Sequence, residues 1–263
     1  MDRSGLKAVL LVAGEGTRLR PYTDDRPKCL VEIEGVSLLE RQLAVLRAES
    51  ISNIVMIGGY RAEMLKRDGM TLKRNDRYYE TNMVWTLFSA EEELEGDILI
   101  CYGDIVYSKD ILRALLESSA DIALTIDLRW ESYWRERNED PLGDAETLKL
   151  MSDGRIEEIG KKPHSLSEIQ GQYMGLIKLS AQGVHIMKRV FHKACEIGSL
   201  QGKLPEKAYM TDLIQAIIDS GFPVQSVPIT GDWVEVDTVS DMHLPVTVQR
   251  LRNIQEELST NSP

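Results

Sequence analysis

The residues with the clearest capacity for chemistry follow an apolar run near the start of the chain. Residues 8–13 are all apolar and lead directly into Gly14-Glu15-Gly16-Thr17-Arg18-Leu19. A short apolar run that ends at glycine is typical of a buried strand entering a tight turn. Glycines let backbone amides approach an anion, and Thr17, Arg18 and the nearby Lys28 add donors and positive charge. The pattern predicts a cradle for a nucleoside triphosphate.

Two better-known phosphate loops do not fit this segment. A Walker loop has four residues between its glycines and a lysine–hydroxyl pair after the second, whereas a single residue separates Gly14 from Gly16. The dinucleotide fingerprint needs a third glycine where this chain has Leu19, whose side chain would obstruct packing of helix on strand. A Walker-type ATPase and a Rossmann dehydrogenase are therefore disfavoured. An ordinary strand–helix turn with solvated charges remains as the alternative.

The segment resembles the signature of nucleotidyltransferases that join a phosphorylated small molecule to a nucleoside monophosphate. That signature is an apolar strand, then Ala13-Gly14-x-Gly16-Thr17-Arg18-Leu19, then Pro27-Lys28. Catalysis of this transfer is largely positioning and electrostatics. We therefore expect Arg18 and Lys28 to stabilise the charge that builds on the α-phosphate and on the leaving pyrophosphate.

Two aspartates at predicted strand ends are the candidate ligands for magnesium, the expected cofactor. Asp104 follows the apolar run 98–102, and Asp237 follows Trp233–Val236. Hard cations prefer carboxylate oxygens. Glu235 shares a strand face with Asp237 and is the substitute if Asp237 is misassigned. As an alternative, each aspartate could cap a following helix, although Thr238 could take that role after Asp237.

The acceptor side of the reaction is expected between residues 128 and 175. Residues 128–142 are rich in aromatic and charged side chains without a clear period, and 147–151 and 155–159 read as a hairpin inserted over the site. The aromatic rings could surround a quaternary ammonium or form a packed lid, and both interpretations stay open. Candidate acceptor contacts are Trp130, Trp134, Glu146, Lys161, Glu168 and Tyr173, with Lys162 as the alternative to Lys161 as the lysine that meets the incoming phosphate.

The elements that must position these residues alternate along the chain. Strand-like runs at 54–57, 97–102 and 120–126 are separated by helical patterns, which predicts a doubly wound α/β fold with mostly parallel pairing. Such sheets bind ligands beyond the carboxyl ends of their strands. We expect one domain over residues 1–263, with a substrate-side insertion at 128–175 and a C-terminal helix and tail at 241–263.

Composition narrows the classes of partner. The net charge of −11 over 263 residues argues against a nucleic-acid partner, because no basic stripe offsets it. No apolar window reaches the length of a membrane span or of a signal core. Three cysteines, an odd number, predict reduced, buried thiols in a cytoplasmic protein. Nothing in the sequence indicates an oligomeric state.

Over almost its whole length the chain resembles the bacterial cytidylyltransferases that include phosphocholine cytidylyltransferase and its relatives acting on aminoethylphosphonate and phosphoglutamine. The matching pieces are the glycine loop with Lys28, Thr81-Asn82-Met83, Asp104, Trp130-x-x-x-Trp134-x-x-Arg137, Asp144-Ala145-Glu146, Gly160-Lys161-Lys162, Gln172-Tyr173-x-Gly175 and Trp233-x-Glu235-x-Asp237. The resemblance implies a Rossmann-like nucleotidyltransferase fold. It also implies a CTP-dependent reaction in which the acceptor phosphate attacks the α-phosphorus and pyrophosphate leaves.

The resemblance further implies which residues hold the nucleotide, with the base near the backbone of residues 11–14. The expected contacts are Leu11, Ala13, Gly14, Glu15, Gly16, Thr17, Arg18, Lys28, Gly59, Asn82 and Asp104. Residues 81–88 and 140–149 look most like the phosphoglutamine enzyme of capsular phosphoramidate synthesis, so cell-surface polysaccharide or phosphonate biosynthesis is the implied context. The alternatives are a sugar-1-phosphate uridylyl- or thymidylyltransferase and a nucleotide-sensing domain without turnover.

Overall fold

The computed structural model describes residues 5–260. Within this range the strands, β1 to β13 in chain order, are Lys7–Val12, Glu32–Ile33, Val36–Ser37, Asn53–Gly58, Thr71–Arg74, Ile98–Tyr102, Ile105–Tyr107, Ile122–Asp127, Leu148–Leu150, Ile156–Ile159, Gln172–Leu179, Gln225–Ile229 and Trp233–Glu235. The helices, α1 to α8, are Leu38–Ala48, Met83–Phe88, Lys109–Glu117, Trp130–Arg137, Ala181–Ile197, Met210–Asp219, Val239–His243 and Pro245–Thr260.

A seven-stranded sheet organises the described residues, in the order β12-β8-β11-β6-β1-β4-β5. β1 runs parallel to β4 and to β6, β4 runs parallel to β5, and β8 runs parallel to β12. β11 is antiparallel to both of its neighbours, β6 and β8. The predicted α/β class with a mostly parallel central sheet is therefore confirmed.

The central strand β1 contributes to apolar cores on both faces of the sheet. Ala8, Leu10 and Val12 pack on the side of α1, α3 and α8, whereas Val9 and Leu11 pack on the side of α2, α5 and α6. All five side chains are less than a tenth exposed. A parallel strand covered on both faces needs a continuous apolar sequence, so the same run that identified β1 also fixes its carboxyl end in the middle of the sheet.

A short antiparallel pair outside the central sheet joins two distant parts of the chain. β7 pairs with β13 in a register that sets Ile105 opposite Glu235. The Val236 amide then donates to the Asp104 carbonyl oxygen at 3.0 Å. The residues that follow β6 and β13 consequently lie side by side.

The segment 128–175 contains helix α4 and the β9–β10 hairpin, and it extends into β11 of the central sheet. The predicted hairpin is confirmed. Helix α4 was not predicted from the sequence, because charged residues surround its buried aromatic residues. The spacing of Trp130, Tyr133 and Trp134 is nevertheless helical. The expected C-terminal helix is divided into α7 and α8, and residues 1–4 and 261–263 lie outside the described range.

Two sequence expectations concern cysteines and membranes. Cys29 and Cys101 are buried, but Cys195 is exposed near the end of α5, so the expectation of three buried thiols is wrong for Cys195. Its helix packs one apolar face inward, and Cys195 lies on the other face. Across residues 5–260, no helix combines the length and apolar character needed to cross a bilayer.

Gly103 allows the end of β6 to approach β1 closely. A Cβ atom at this position would lie 2.8 Å from the Leu11 carbonyl oxygen and 2.9 Å from Cγ1 of Val12. We predict that Gly103→Ala lowers the free energy of unfolding by about 1–3 kcal/mol through overpacking, as measured by urea denaturation. Gly143→Ala is the control, because a Cβ there meets nothing within 4 Å. Equal stability of the two variants would contradict the close approach.

Candidate active site

A cleft of about 420 Å³ opens at the carboxyl ends of β1 and β6. Its lining is Leu11, Val12, Ala13, Gly14, Glu15, Gly16, Thr17, Arg18, Lys28, Cys29, Tyr78, Tyr79, Thr81, Asn82, Met83, Thr86, Tyr102, Gly103, Asp104 and Asp237. Of the expected nucleotide contacts within the described residues, all but Gly59 belong to this lining. The tertiary structure thus gathers the glycine loop and both candidate metal ligands around one space.

The glycine loop folds over the stem of Lys28. Gly16 has φ +68°, and a Cβ there would lie 3.0 Å from Cβ of Lys28, so both its backbone conformation and its surroundings favour glycine. The Lys28 amide donates to the Gly14 carbonyl oxygen at 3.2 Å. At Gly14 an added Cβ would make only ordinary contacts, at 3.9 Å from Lys28. Among residues 5–260 no neighbour requires glycine at position 14, and Gly14 lines the cleft.

Gly59 supports this loop from behind. A Cβ at Gly59 would lie 2.5 Å from Cβ of Tyr78 and 2.8 Å from the Ala13 carbonyl oxygen. The Tyr60 amide donates to the same carbonyl oxygen at 3.2 Å. The turn after β4 therefore packs directly against the end of β1.

Lys28 bridges the two candidate metal ligands. Its ammonium lies 2.6 Å from Oδ2 of Asp104 and also contacts Oδ1 of Asp237. Burial disfavours the charged form of Lys28, but the two carboxylates outweigh burial and raise its pKa. Arg18 approaches Oδ1 of Asp237 at 3.4 Å from the open side, with 63% of its side chain exposed.

Neither aspartate serves as the helix cap that the alternative required. Ser108 caps α3, because its hydroxyl accepts from the Ile111 amide at 3.4 Å. Thr238 caps α7, because its hydroxyl accepts from the Asp241 amide at 3.2 Å. The carboxylates of Asp104 and Asp237 thus face cations rather than helix ends.

Arg137 contacts the acidic cluster from the protein interior. Its side chain is 3% exposed and places Nη1 on Oε2 of Glu235, Nη2 3.5 Å from Oδ2 of Asp237, and Nε 3.1 Å from Oδ1 of Asp241. Burial raises the pKa of Glu235 to about 7, an effect that Arg137 opposes and Asp237 adds to. In the sequence Arg137 stands out only as part of the Trp130-x-x-x-Trp134-x-x-Arg137 motif, because nothing there pairs it with residues about 100 positions along the chain.

The acidic cluster has the donor chemistry of a divalent-cation site. Asp104, Glu235 and Asp237 each offer an oxygen, and these atoms lie within 4.8 Å of one another. Oδ1 of Asp104 is buried without a hydrogen-bond partner among the described residues. A buried acceptor left without a donor is costly, and a hard cation would satisfy it. The residues therefore fit a divalent cation. Lys28 would compete with this cation for the carboxylates of Asp104 and Asp237.

The two tryptophans expected at the acceptor are packed inside the protein. Trp130 and Trp134 are each 4% exposed. The Trp134 ring lies 5.9 Å from the Tyr133 ring and 6.1 Å from the Trp233 ring. Of the two interpretations of these rings, the structure favours packing, because Trp130 packs against Trp134 and Trp134 packs against Trp233 of β13.

Three further acceptor candidates lie on the hairpin and the turn that follows it, apart from the cleft lining. Lys161 is 60% exposed and pairs with Glu158 at 2.5 Å. Lys162 donates to the carbonyl oxygens of Leu142 and Gly143 at 2.5 and 2.7 Å. Glu168 accepts from the His164 amide at 2.6 Å and so closes a local turn.

Glu146 and Tyr173 lie beside the cleft. The Tyr173 ring packs edge-on against Tyr102, a lining residue, with centroids 5.6 Å apart, and its buried hydroxyl lies close to the Tyr102 side chain. The Glu146 carboxylate accepts from the Thr211 hydroxyl at 3.4 Å, and burial raises its pKa. Within residues 5–260 Glu146 makes no salt bridge, so a partly buried carboxylate lies near the Tyr102–Tyr173 pair, outside the residues that line the cleft.

Several lining residues were not anticipated from sequence. Tyr79 is 72% exposed at the cleft, with its ring 5.7 Å from the Tyr78 ring. Aromatic residues in the polar loop before α2 were the available signal, since exposed aromatic rings in a loop often contact ligands. Asn82, which was anticipated, caps α2 through its side chain.

Known proteins match both the sequence and the fold. Residues 8–148 match the family described as MobA-like NTP transferase domain. The chain is 35% identical over 252 residues to the CTP:phosphoglutamine cytidylyltransferase of Campylobacter jejuni, a match that covers 92% of this chain and 99% of that protein. It is 37% identical over 99 residues to the choline-phosphate cytidylyltransferase of Streptococcus pneumoniae, covering 36% of this chain and 43% of that protein.

A solved structure shares the whole architecture. The inositol-1-phosphate CTP transferase from T. maritima superposes with a TM-score of 0.75 at 21% identity, over 97% of this chain and 98% of that one. Together with the seven-stranded sheet, this similarity confirms the expected Rossmann-like nucleotidyltransferase fold.

The position of Lys28 predicts competition with divalent cations. Removing its ammonium leaves Asp104 and Asp237 free to bind a cation, so Lys28→Met should tighten Mn²⁺ binding by about tenfold or more. The free Mn²⁺ signal in electron paramagnetic resonance measures this. Lys73→Met is the matched control, because Lys73 also contacts two carboxylates, those of Glu92 and Glu93, but outside the cleft. Unchanged or weaker binding by Lys28→Met would contradict the competition.

Proposed function

Because the chain belongs to the MobA-like NTP transferase family, we propose that it is a magnesium-dependent cytidylyltransferase. It joins CMP from CTP to a small phosphorylated or phosphonate acceptor and releases pyrophosphate. The observation that carries this proposal is that the glycine loop, Lys28 and the Asp104–Asp237 pair line one cleft. The relative at 35% identity, matched over nearly its full length, supports CTP as the donor.

The donor half of the reaction uses the loop and its cations. Backbone amides of the glycine loop and the exposed Arg18 hold the triphosphate, while residues around Leu11, Ala13 and Asn82 hold the base. Lys28 stabilises the negative charge that builds on the α-phosphate and on the leaving pyrophosphate. Asp104 and Asp237 hold Mg²⁺, with Glu235 beside them, and the bound ion supplies charge neutralisation at the phosphates.

The acceptor half lies on the Tyr102 side of the cleft. The named relatives act on phosphoglutamine and choline-phosphate, which both carry a cationic nitrogen. Glu146, a partly buried carboxylate that makes no salt bridge within residues 5–260, fits such a group, and Tyr173 lies near it. Lys161, or Lys162 beside it, remains the proposed partner of the incoming phosphate. Aminoethylphosphonate fits the same description.

The proposed reaction suggests a cellular setting. CTP is a cytoplasmic metabolite, and we propose that the protein acts there. Its product would be an activated head group for cell-surface polysaccharide or phosphonate biosynthesis.

Pyrophosphate release tests the proposed function. The protein is incubated with CTP, UTP, dTTP, ATP or GTP and with phosphocholine, phosphoethanolamine, aminoethylphosphonate, phosphoglutamine or glucose 1-phosphate. We expect release with CTP and a nitrogen-bearing acceptor. Asp104→Asn should reduce turnover by about 10²–10³-fold, as the loss of an electrostatic group in an active site does. Asp121→Asn, at an exposed site outside the cleft, is the control.

Other outcomes of this experiment identify the alternatives. A preference for UTP or dTTP with glucose 1-phosphate would indicate a sugar nucleotidyltransferase. Nucleotide binding without any release would indicate a sensing domain. No release with CTP across the nitrogen-bearing acceptors would overturn the proposal.

Glu146 provides a separate test of the acceptor. Glu146→Gln keeps the shape of the side chain but loses its charge, so the KM for aminoethylphosphonate should rise by about tenfold or more, as expected for a charge-assisted hydrogen bond. The KM for CTP should not change. Ethylphosphonate lacks the amine, so its KM should be the same for Glu146→Gln and for the natural protein. Glu157→Gln is the control, because Glu157 is an exposed residue on β10. An equal rise for both phosphonates would refute the pairing.

A further inference from the structure

We infer that Arg137 is a positioning residue that fixes Asp237 and Glu235 for cation binding through three separate carboxylate contacts from the protein interior. The inference rests on the proposed function, because it concerns the carboxylates assigned there to the metal. Arg137 does not line the cleft among the described residues, so it acts through its partners.

The two oxygens of Asp237 have different cationic partners. Oδ1 is contacted by Lys28 and, at 3.4 Å, by Arg18, and all three residues belong to the cleft lining. Oδ2 is approached by Arg137 at 3.5 Å from the interior. Arg137 therefore restrains the carboxylate from the side away from ligands and leaves Oδ1 available to them.

Arg137 is enclosed by aromatic rings, whereas the Arg18 side chain is largely exposed. The Arg137 guanidinium carbon lies 5.4 Å from the Tyr133 ring centre and 5.3 Å from that of Trp134, and the side chain is 3% exposed. The hydroxyl of Tyr133 also accepts from the Glu235 amide at 3.0 Å. The packed aromatic residues of α4 thus contact both the arginine and β13, the strand that carries its partner Glu235.

Asp241 completes this arrangement. Its Oδ1 accepts from Nε of Arg137 at 3.1 Å, while its Oδ2 accepts from the amides of Asp237 and Thr238 at 3.0 and 2.8 Å. One carboxylate therefore links the guanidinium to the backbone of the proposed metal ligand. A change at Arg137 is transmitted to Asp237 both through its side chain and through its main chain.

Lysine cannot replace this geometry. The guanidinium directs each of its three nitrogens to a different carboxylate, whereas an ammonium is a single point charge. Arg137→Lys preserves the positive charge. This is essential for the test, because a neutral residue would leave the carboxylates with more uncompensated negative charge and so strengthen their attraction for cations. A loss of cation affinity in Arg137→Lys would then report lost orientation.

The experiment measures Mn²⁺ binding by electron paramagnetic resonance, without nucleotide and below the thermal midpoint of every variant. We expect Arg137→Lys to weaken Mn²⁺ binding by about 10–100-fold, the usual effect of losing a group that orients a metal ligand. Arg250→Lys is the matched control. Arg250 lies 4.3 Å from the same Tyr133 ring and donates to the Trp233 carbonyl oxygen at 2.8 Å, and neither contact is to a carboxylate. Its affinity should stay within about twofold of the natural protein.

A second variant covers the case in which Arg137→Lys does not fold. Asp241→Asn keeps Arg137 and its charge but replaces one of the two accepting oxygens of Asp241 with an NH₂ group, which cannot accept a hydrogen bond. Mn²⁺ binding should therefore weaken, as in Arg137→Lys. Natural affinity in the folded variants, or an equal loss in Arg250→Lys, would overturn the inference while leaving the proposed function intact. Failure of the unsubstituted protein to bind Mn²⁺ would overturn the proposed metal site as well.

Discussion

The structure around the cleft depends on stabilising several carboxylates that lie close together in a partly buried site. Asp104, Glu235 and Asp237 have oxygens within 4.8 Å of one another, and at that separation like charges repel strongly when water is scarce. Lys28 and Arg137 compensate this repulsion from opposite sides. Removing either cation leaves buried negative charge without its partner, which is among the more costly changes a protein interior can undergo.

The two cations differ in how they are held, and the difference matches their positions. Lys28 reaches the carboxylates on an aliphatic stem that packs under the glycine loop. Arg137 is enclosed between aromatic rings and three carboxylates. The cluster thus has one cationic partner on the cleft side and one on the interior side.

The fold brings the acidic residues together through backbone pairing rather than through the side chains themselves. β1 and β6 are neighbours in the central sheet, so the glycine loop and Asp104 emerge at the same edge. The pairing of β7 with β13 then places Asp237 beside Asp104. Helix α4 covers this pair with Trp130, Tyr133 and Trp134. The aromatic segment therefore contributes to the site mainly by packing against β13 and Arg137.

The sequence by itself determined the α/β class, the strand β1 and its glycine turn, because local features encode these: a continuous apolar run suits a strand buried on both faces, and glycine permits the turn. It also singled out Lys28, Asp104 and Asp237 by residue type and position. Only the tertiary structure decided that Trp130 and Trp134 face the core and that Arg137 meets Glu235, Asp237 and Asp241. The physical reason is that a residue's type and spacing record its chemistry and its element, whereas the direction in which it faces depends on the pairing of strands far apart in the chain.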